Sequence, residues 1–145
     1  MKPDPQLNRV APDEMPDDMA SAWRHSVDLR GDATFFEVFA NHPDLYRWYV
    51  NQFYGHVFRG GKVAQRYKEL LRLRLSTLHG CRFCNQGNRL DAIEAGLTEA
   101  QIAAFESPES GTFTPAELAV LALGAELALT NSTGFLSEAL HGQLA

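Results

Sequence analysis

The chain has 145 residues, 45% apolar and 21% charged, which is the length and composition of a single domain spanning 1–145. No apolar run approaches the ~20 residues that cross a bilayer, so a membrane protein is not expected. Residues 1–20 carry acids where a secretory signal needs an apolar core. With only two cysteines, the expected compartment is therefore the reducing cytoplasm.

The net charge is −5, and its distribution is uneven. Residues 1–58 are mildly acidic. Residues 59–90 hold Arg59, Lys62, Arg66, Lys68, Arg72, Arg74, Arg82 and Arg89 against the single acid Glu69, and no Lys or Arg follows Arg89. A basic block favours nucleic acid, but the acidic remainder and the lack of a nucleic-acid signature argue against that partner. Two readings of the block remain. Its cations either surround the cysteines and favour thiolate, or they are helix faces that pair with the acidic C-terminal third.

Helix signals dominate from end to end, and the fold class read from them is all-α. After a Pro- and Asp-rich tail over about 1–15, expected to be loose, Pro16 to about Val27 reads as a first helix. Thr34 and Glu37 form a capping-box pattern for a short helix through Ala40. Pro43 suits the first turn of a helix to about Phe58, stopped by Gly60 and Gly61. That segment is apolar around most of its girth, which predicts burial on more than one side and a homo-oligomer contact. Lys62 to Leu78 reads as a helix with Leu71, Leu75 and Leu78 on its stripe and Leu70 and Leu73 beside it. His79 and Gly80 break it. A helix from about Arg82 to Ala95 closes at Gly96. Thr98 with Gln101 starts a short helix, and Thr114, Pro115 and Glu117 open another to about Leu129.

This order places Cys81-Arg82-Phe83-Cys84 at a helix start, where free backbone N–H groups and the helix dipole stabilise an anion. Cys81, Cys84 and Asn88 share one face at i, i+3 and i+7. The pair could close a disulfide ring, share a metal, or simply be small buried apolar residues. No second pair completes a four-cysteine zinc site, and no His-x-x-x-His follows. A dithiol that cycles with a disulfide, without metal or cofactor, is the leading reading.

The run from Tyr67 through Cys84 to Ala95-Gly96 resembles the core of the alkylhydroperoxidase AhpD and carboxymuconolactone decarboxylase family. That family's pattern is Glu-x11-Cys-x2-Cys-x3-His, and Glu69, Cys81 and Cys84 match it in type and spacing. The resemblance is strongest over 61–105. It implies an AhpD-like helical bundle that forms homo-oligomers and takes an organic or hydrogen peroxide as substrate. On it, Cys84 would be the peroxidatic thiol, Cys81 would resolve the sulfenic acid as a disulfide, and Glu69 would begin a proton relay. A dithiol or thioredoxin-like reductant would close the cycle. The sequence departs from the pattern at Asn88, which stands at the relay histidine and cannot titrate. His79 is the nearby imidazole that could substitute if the bend turns it inward. The resemblance also implies a further helix beyond Ala145, as if the chain were shortened. Two other readings stay open: a redox sensor or assembly module without turnover, and a lactone decarboxylase, which would not need the cysteine pair.

Overall fold

The computed structural model describes residues 6–109, 111–130 and 136–145, and among them every regular element is helical. The chain divides into two compact units, Met1–Gly61 and Lys62–Ala145.

The first unit contains α1 (Asp17–Arg30), α2 (Thr34–Phe39), α3 (Pro43–Trp48) and a π-helical segment, Tyr49–Phe58. Its core gathers Met15, Met19, Ala20, Ala40 and Tyr46. The segment expected as a loose tail is anchored where it is described. The Val10 N–H donates to the Glu37 carbonyl at 3.0 Å, and Met15 is buried. The capping box expected at Thr34 and Glu37 does not form. Thr34 is already helical, and its N–H is capped by the Asp32 carboxylate at 2.9 Å. Glu37 turns away to accept from Arg9 and from the Trp23 indole, which draw it into the unit instead.

The helix expected from Pro43 to Phe58 has the right extent but changes winding at Tyr49. In a π-helix the N–H reaches back five residues, and the Arg59 N–H accordingly donates to the Tyr54 carbonyl at 3.0 Å. The wider turn lets the rings meet at two spacings. Tyr49 contacts Phe53 with centroids 5.8 Å apart and Tyr54 at 5.1 Å. Gly60 ends the segment, since a Cβ there would collide with the His56 carbonyl oxygen.

The second unit contains α4 (Gln65–Leu78), α5 (Arg82–Glu94), α6 (Glu99–Ala103), α7 (Pro115–Leu129) and α8 (Glu138–Leu144). α4 packs on both α5 and α7, and α8 packs on α7. The core joins Leu70, Leu73, Ala92, Leu97, Phe105, Phe113 and Leu121. The expected stripe on α4 is thereby corrected. Leu70 and Leu73 are the buried leucines, with Glu69 and Ser76 beside them, whereas Leu78 is 41% exposed. Leucines lie around most of this helix, so periodicity alone could not choose the face that α5 and α7 would cover.

Both other capping boxes form. The Gln101 N–H donates to Thr98 Oγ1 and the Glu117 N–H to Thr114 Oγ1, with each N3 side chain returning to the cap N–H. α8 was not anticipated. Ser137 caps it through the Leu140 N–H, and the Ser137 N–H donates to Glu126 of α7 at 2.8 Å.

Candidate functional site

The cysteines stand where α4 hands over to α5. Gly80 adopts φ 64°, a left-handed conformation that costs little only in glycine, and this reverses the chain directly after α4. Cys81 is then the N-cap of α5. Its Sγ accepts the Cys84 N–H at 3.3 Å, and its carbonyl accepts the Asn85 N–H at 2.9 Å. The two cysteines are joined as a disulfide with Cα atoms 5.3 Å apart. Both are half-buried, and Arg82 is exposed in the first turn. The sulfurs therefore lie at the positive end of a helix dipole, where a thiolate formed on reduction is stabilised.

Glu69 is 5% exposed on the buried face of α4. Its Oε1 accepts from Gln65 Nε2 at 2.8 Å, and its Oε2 pairs with Arg72 Nη2 at 2.6 Å. The same guanidinium nitrogen pairs with Asp91 of α5. Burial holds the Glu69 carboxyl above its ordinary carboxylate range. Gln65 and Arg72 oppose that shift, and the negative charge of Asp91 adds to it.

Asp91 is seven residues beyond Cys84, about 10 Å along the helix axis. The layer that holds Glu69, Arg72 and Asp91 thus lies some two turns from the sulfurs. Asn88, half-buried, occupies the α5 position between them. His79 is the C-cap of α4 and its side chain is exposed rather than turned inward. The structure therefore brings Cys81 to Cys84, sets Glu69 some two turns away on the neighbouring helix, and leaves His79 at the surface.

Two site neighbours, Gln65 and Asp91, escaped the sequence reading, and Arg72 was read there as one cation of the basic block and not as the partner of Glu69. A signal for them exists. Gln65, Glu69 and Arg72 stand at i, i+4 and i+7 on α4, and Asp91 continues the Cys84–Asn88 face of α5.

Much of the basic block is committed to structure. Arg66 bonds Glu117 at 2.7 Å, Gln101 at 3.0 Å and the Gly96 carbonyl, Arg89 pairs with Glu99, and Arg74 donates to the Phe105 carbonyl. These pairings favour the reading in which the basic residues meet the acidic C-terminal third. An apolar cavity of about 450 Å³ lies between α4, α7 and α8, with Tyr67, Leu71, Val120 and Leu144 on its walls. Neither the cysteines nor Glu69 are among the residues that line it.

The family model of the carboxymuconolactone decarboxylase family matches residues 43–126. The match covers more than half of the chain and includes Glu69, Cys81, Cys84 and Asn88. No curated protein and no solved structure matches the chain significantly.

Proposed function

The chain belongs to the carboxymuconolactone decarboxylase family, and from that premise we propose that it is a thiol-dependent peroxidase of the alkylhydroperoxidase D type. The observation that carries the reading is the Cys81–Cys84 disulfide at the N-terminus of α5, with a buried carboxyl whose proton is retained above the ordinary range on the packed neighbouring helix. In the reduced protein the Cys84 thiolate attacks one peroxide oxygen. The O–O bond breaks, and the departing alkoxide, or hydroxide, takes a proton that Glu69 supplies through the Asn88 layer. The resulting sulfenic acid on Cys84 condenses with the Cys81 thiol. The S–S bond forms and water leaves. One peroxide is thus reduced to an alcohol and water as two thiols become a disulfide. An external dithiol, from a small reductant or a thioredoxin-like protein in a reducing compartment, returns both thiols by exchange.

Asn88 cannot carry a proton by titrating, so transfer across this layer runs through water that its amide orients. The surface position of His79 favours a capping role for it. We also assign α3 and the π-helical segment to a contact with a second copy of the chain, because Trp48 is 56% and Val57 67% exposed there beside Leu45, Val50 and Phe53. Among the described residues no helix is long and apolar enough to cross a membrane.

The deciding experiment is peroxide consumption in the presence of a dithiol. Wild type should turn over many times and Cys84→Ser should not. A single oxidation of two thiols without further turnover would instead select a redox sensor of the same fold, the reading that Asn88 favours. Peroxide that leaves both thiols free would sink both. The lactone decarboxylase reading gains nothing from a cysteine pair.

A further inference from the structure

Arg72 and Asp91 are not part of the pattern that points to Glu69 and the cysteines, yet they are what Glu69 touches. The Arg72 guanidinium lies between two carboxylates from different helices, Glu69 of α4 and Asp91 of α5. Both the acid and the guanidinium are largely shielded, with side chains 6% and 19% exposed, while Asp91 is 45% exposed at the outer end of the chain of charges. Gln65 closes the other side of Glu69 from α4. The acid of α7 buried in the same unit, Glu117, is engaged by Arg66 and by its own cap at Thr114. Charges facing Glu69 from its own helix and from α5 are therefore Arg72 and Asp91.

We propose that Arg72, anchored by Asp91 of the cysteine-bearing helix, is the positioning residue that fixes Glu69 and sets how firmly it holds its proton. One guanidinium shared by two carboxylates neutralises each only in part. A private Arg72 would pull the Glu69 carboxyl down and loosen its hold on a proton. Asp91 draws positive charge away and adds a negative one, so Glu69 holds its proton more firmly, in a site that burial already biases the same way. The arrangement also ties the acid mechanically to α5, the helix whose first turn carries the disulfide. That Glu69 then serves the sulfurs rests on the peroxidase reading above; that Arg72 and Asp91 govern Glu69 does not.

The test uses the full chain in its reduced state, with hydrogen peroxide as the probe. The Glu69 carboxyl is followed by carbon NMR of glutamate-labelled protein and assigned by its loss in Glu69→Gln. Asp91→Asn should lower the midpoint of the Glu69 titration, and Arg72→Gln should raise it, each by about one pH unit. Arg72→Lys keeps the charge but loses the fork, so its midpoint should rise by less, and it supplies the answer if Arg72→Gln does not fold. The pH profile of thiol loss on peroxide addition should move in the same direction as the midpoint in each variant. Shifts of one sign in Asp91→Asn and in the Arg72 variants, or no shift, would overturn the proposal, because a purely structural role has no reason to give opposite signs. Opposite shifts in a protein whose thiols ignore peroxide would support the positioning role and reject the peroxidase reading.

Discussion

Gly124 of α7 offers a quantitative test of the packing that seats the Glu69 helix. A Cβ at this position would lie 2.9 Å from Arg74 Cγ and 3.3 Å from Leu71 Cδ1. The first distance is inside the steric limit, and Arg74 cannot simply swing aside, because its guanidinium donates to the Phe105 carbonyl. Overpacking of this kind costs about 1–3 kcal/mol. Replacing Gly by Ala inside a helix returns about 1 kcal/mol. Gly124→Ala should therefore destabilise by about 1 kcal/mol, the difference between these opposing effects. In an Arg74→Ala background the clashing Cγ is gone; what remains is Arg74 Cβ at an ordinary 3.5 Å and Leu71 Cδ1 at 3.3 Å, the end of a flexible side chain that can give by a few tenths of an ångström. There the same change should be neutral or stabilising, giving a coupling of about 1–2 kcal/mol in the four-protein cycle. Urea unfolding followed by circular dichroism is the appropriate assay, since both tryptophans, Trp23 and Trp48, belong to the first unit. A Gly124→Ala protein that gains about 1 kcal/mol equally in both backgrounds would refute the close contact between α4 and α7.

Restoring a titrating group by Asn88→His should raise peroxidase turnover by about 100-fold, the lower range for general acid–base catalysis, as read from steady-state peroxide consumption. Burial would raise the Glu117 carboxyl, but the Thr114 N–H and the Arg66 guanidinium outweigh it and hold the group below its usual 4.5. The stability this supplies is present above pH 4.5 and is lost as the pH falls through the lowered value, so Glu117→Gln should flatten the acid side of the Tm against pH curve. Glu69 has the opposite sign. Its raised proton affinity contributes fully below pH 4.5 and is lost as the pH rises through the folded value, so Glu69→Gln should remove a decline in Tm above pH 4.5 while lowering turnover. Light scattering should give a mass above the 16.1 kDa of one chain, and Val57→Asp should shift it toward that mass; a wild-type monomer at high micromolar concentration would contradict the assigned contact.

What could be read from the sequence was decided by groups within about four residues of each other. The boxes at Thr98–Gln101 and Thr114–Glu117, the reversal at Gly80 and the placing of Cys81 at the start of α5 are all of this kind. A cap or a left-handed turn is local chemistry, and the residues that make it are neighbours in the chain. The all-α class followed from the same short-range signals, and the family pattern from the spacing of Glu69, Cys81 and Cys84 along one continuous stretch of chain.

The remainder depended on which surfaces meet. α4 carries leucines around most of its circumference, and only the packing of α5 and α7 selected Leu70 and Leu73 for burial. Glu37 had the spacing of a capping acid, but Arg9, 28 residues away, and Trp23, 14 away, claimed it. Rings at two spacings lock the wide winding of Tyr49–Phe58, which a 3.6-residue period does not reveal. α8 is short and weakly apolar, and its anchors, Leu140 and the Glu126 carboxylate, act only once α7 is in place. Glu69 was legible as a candidate from its spacing to the cysteines. That it is shielded, shared with Asp91 through Arg72, and some two turns from the sulfurs was decided by the pairing of two helices, because a charge acquires its partner, and hence its proton affinity, only when another element is packed against it.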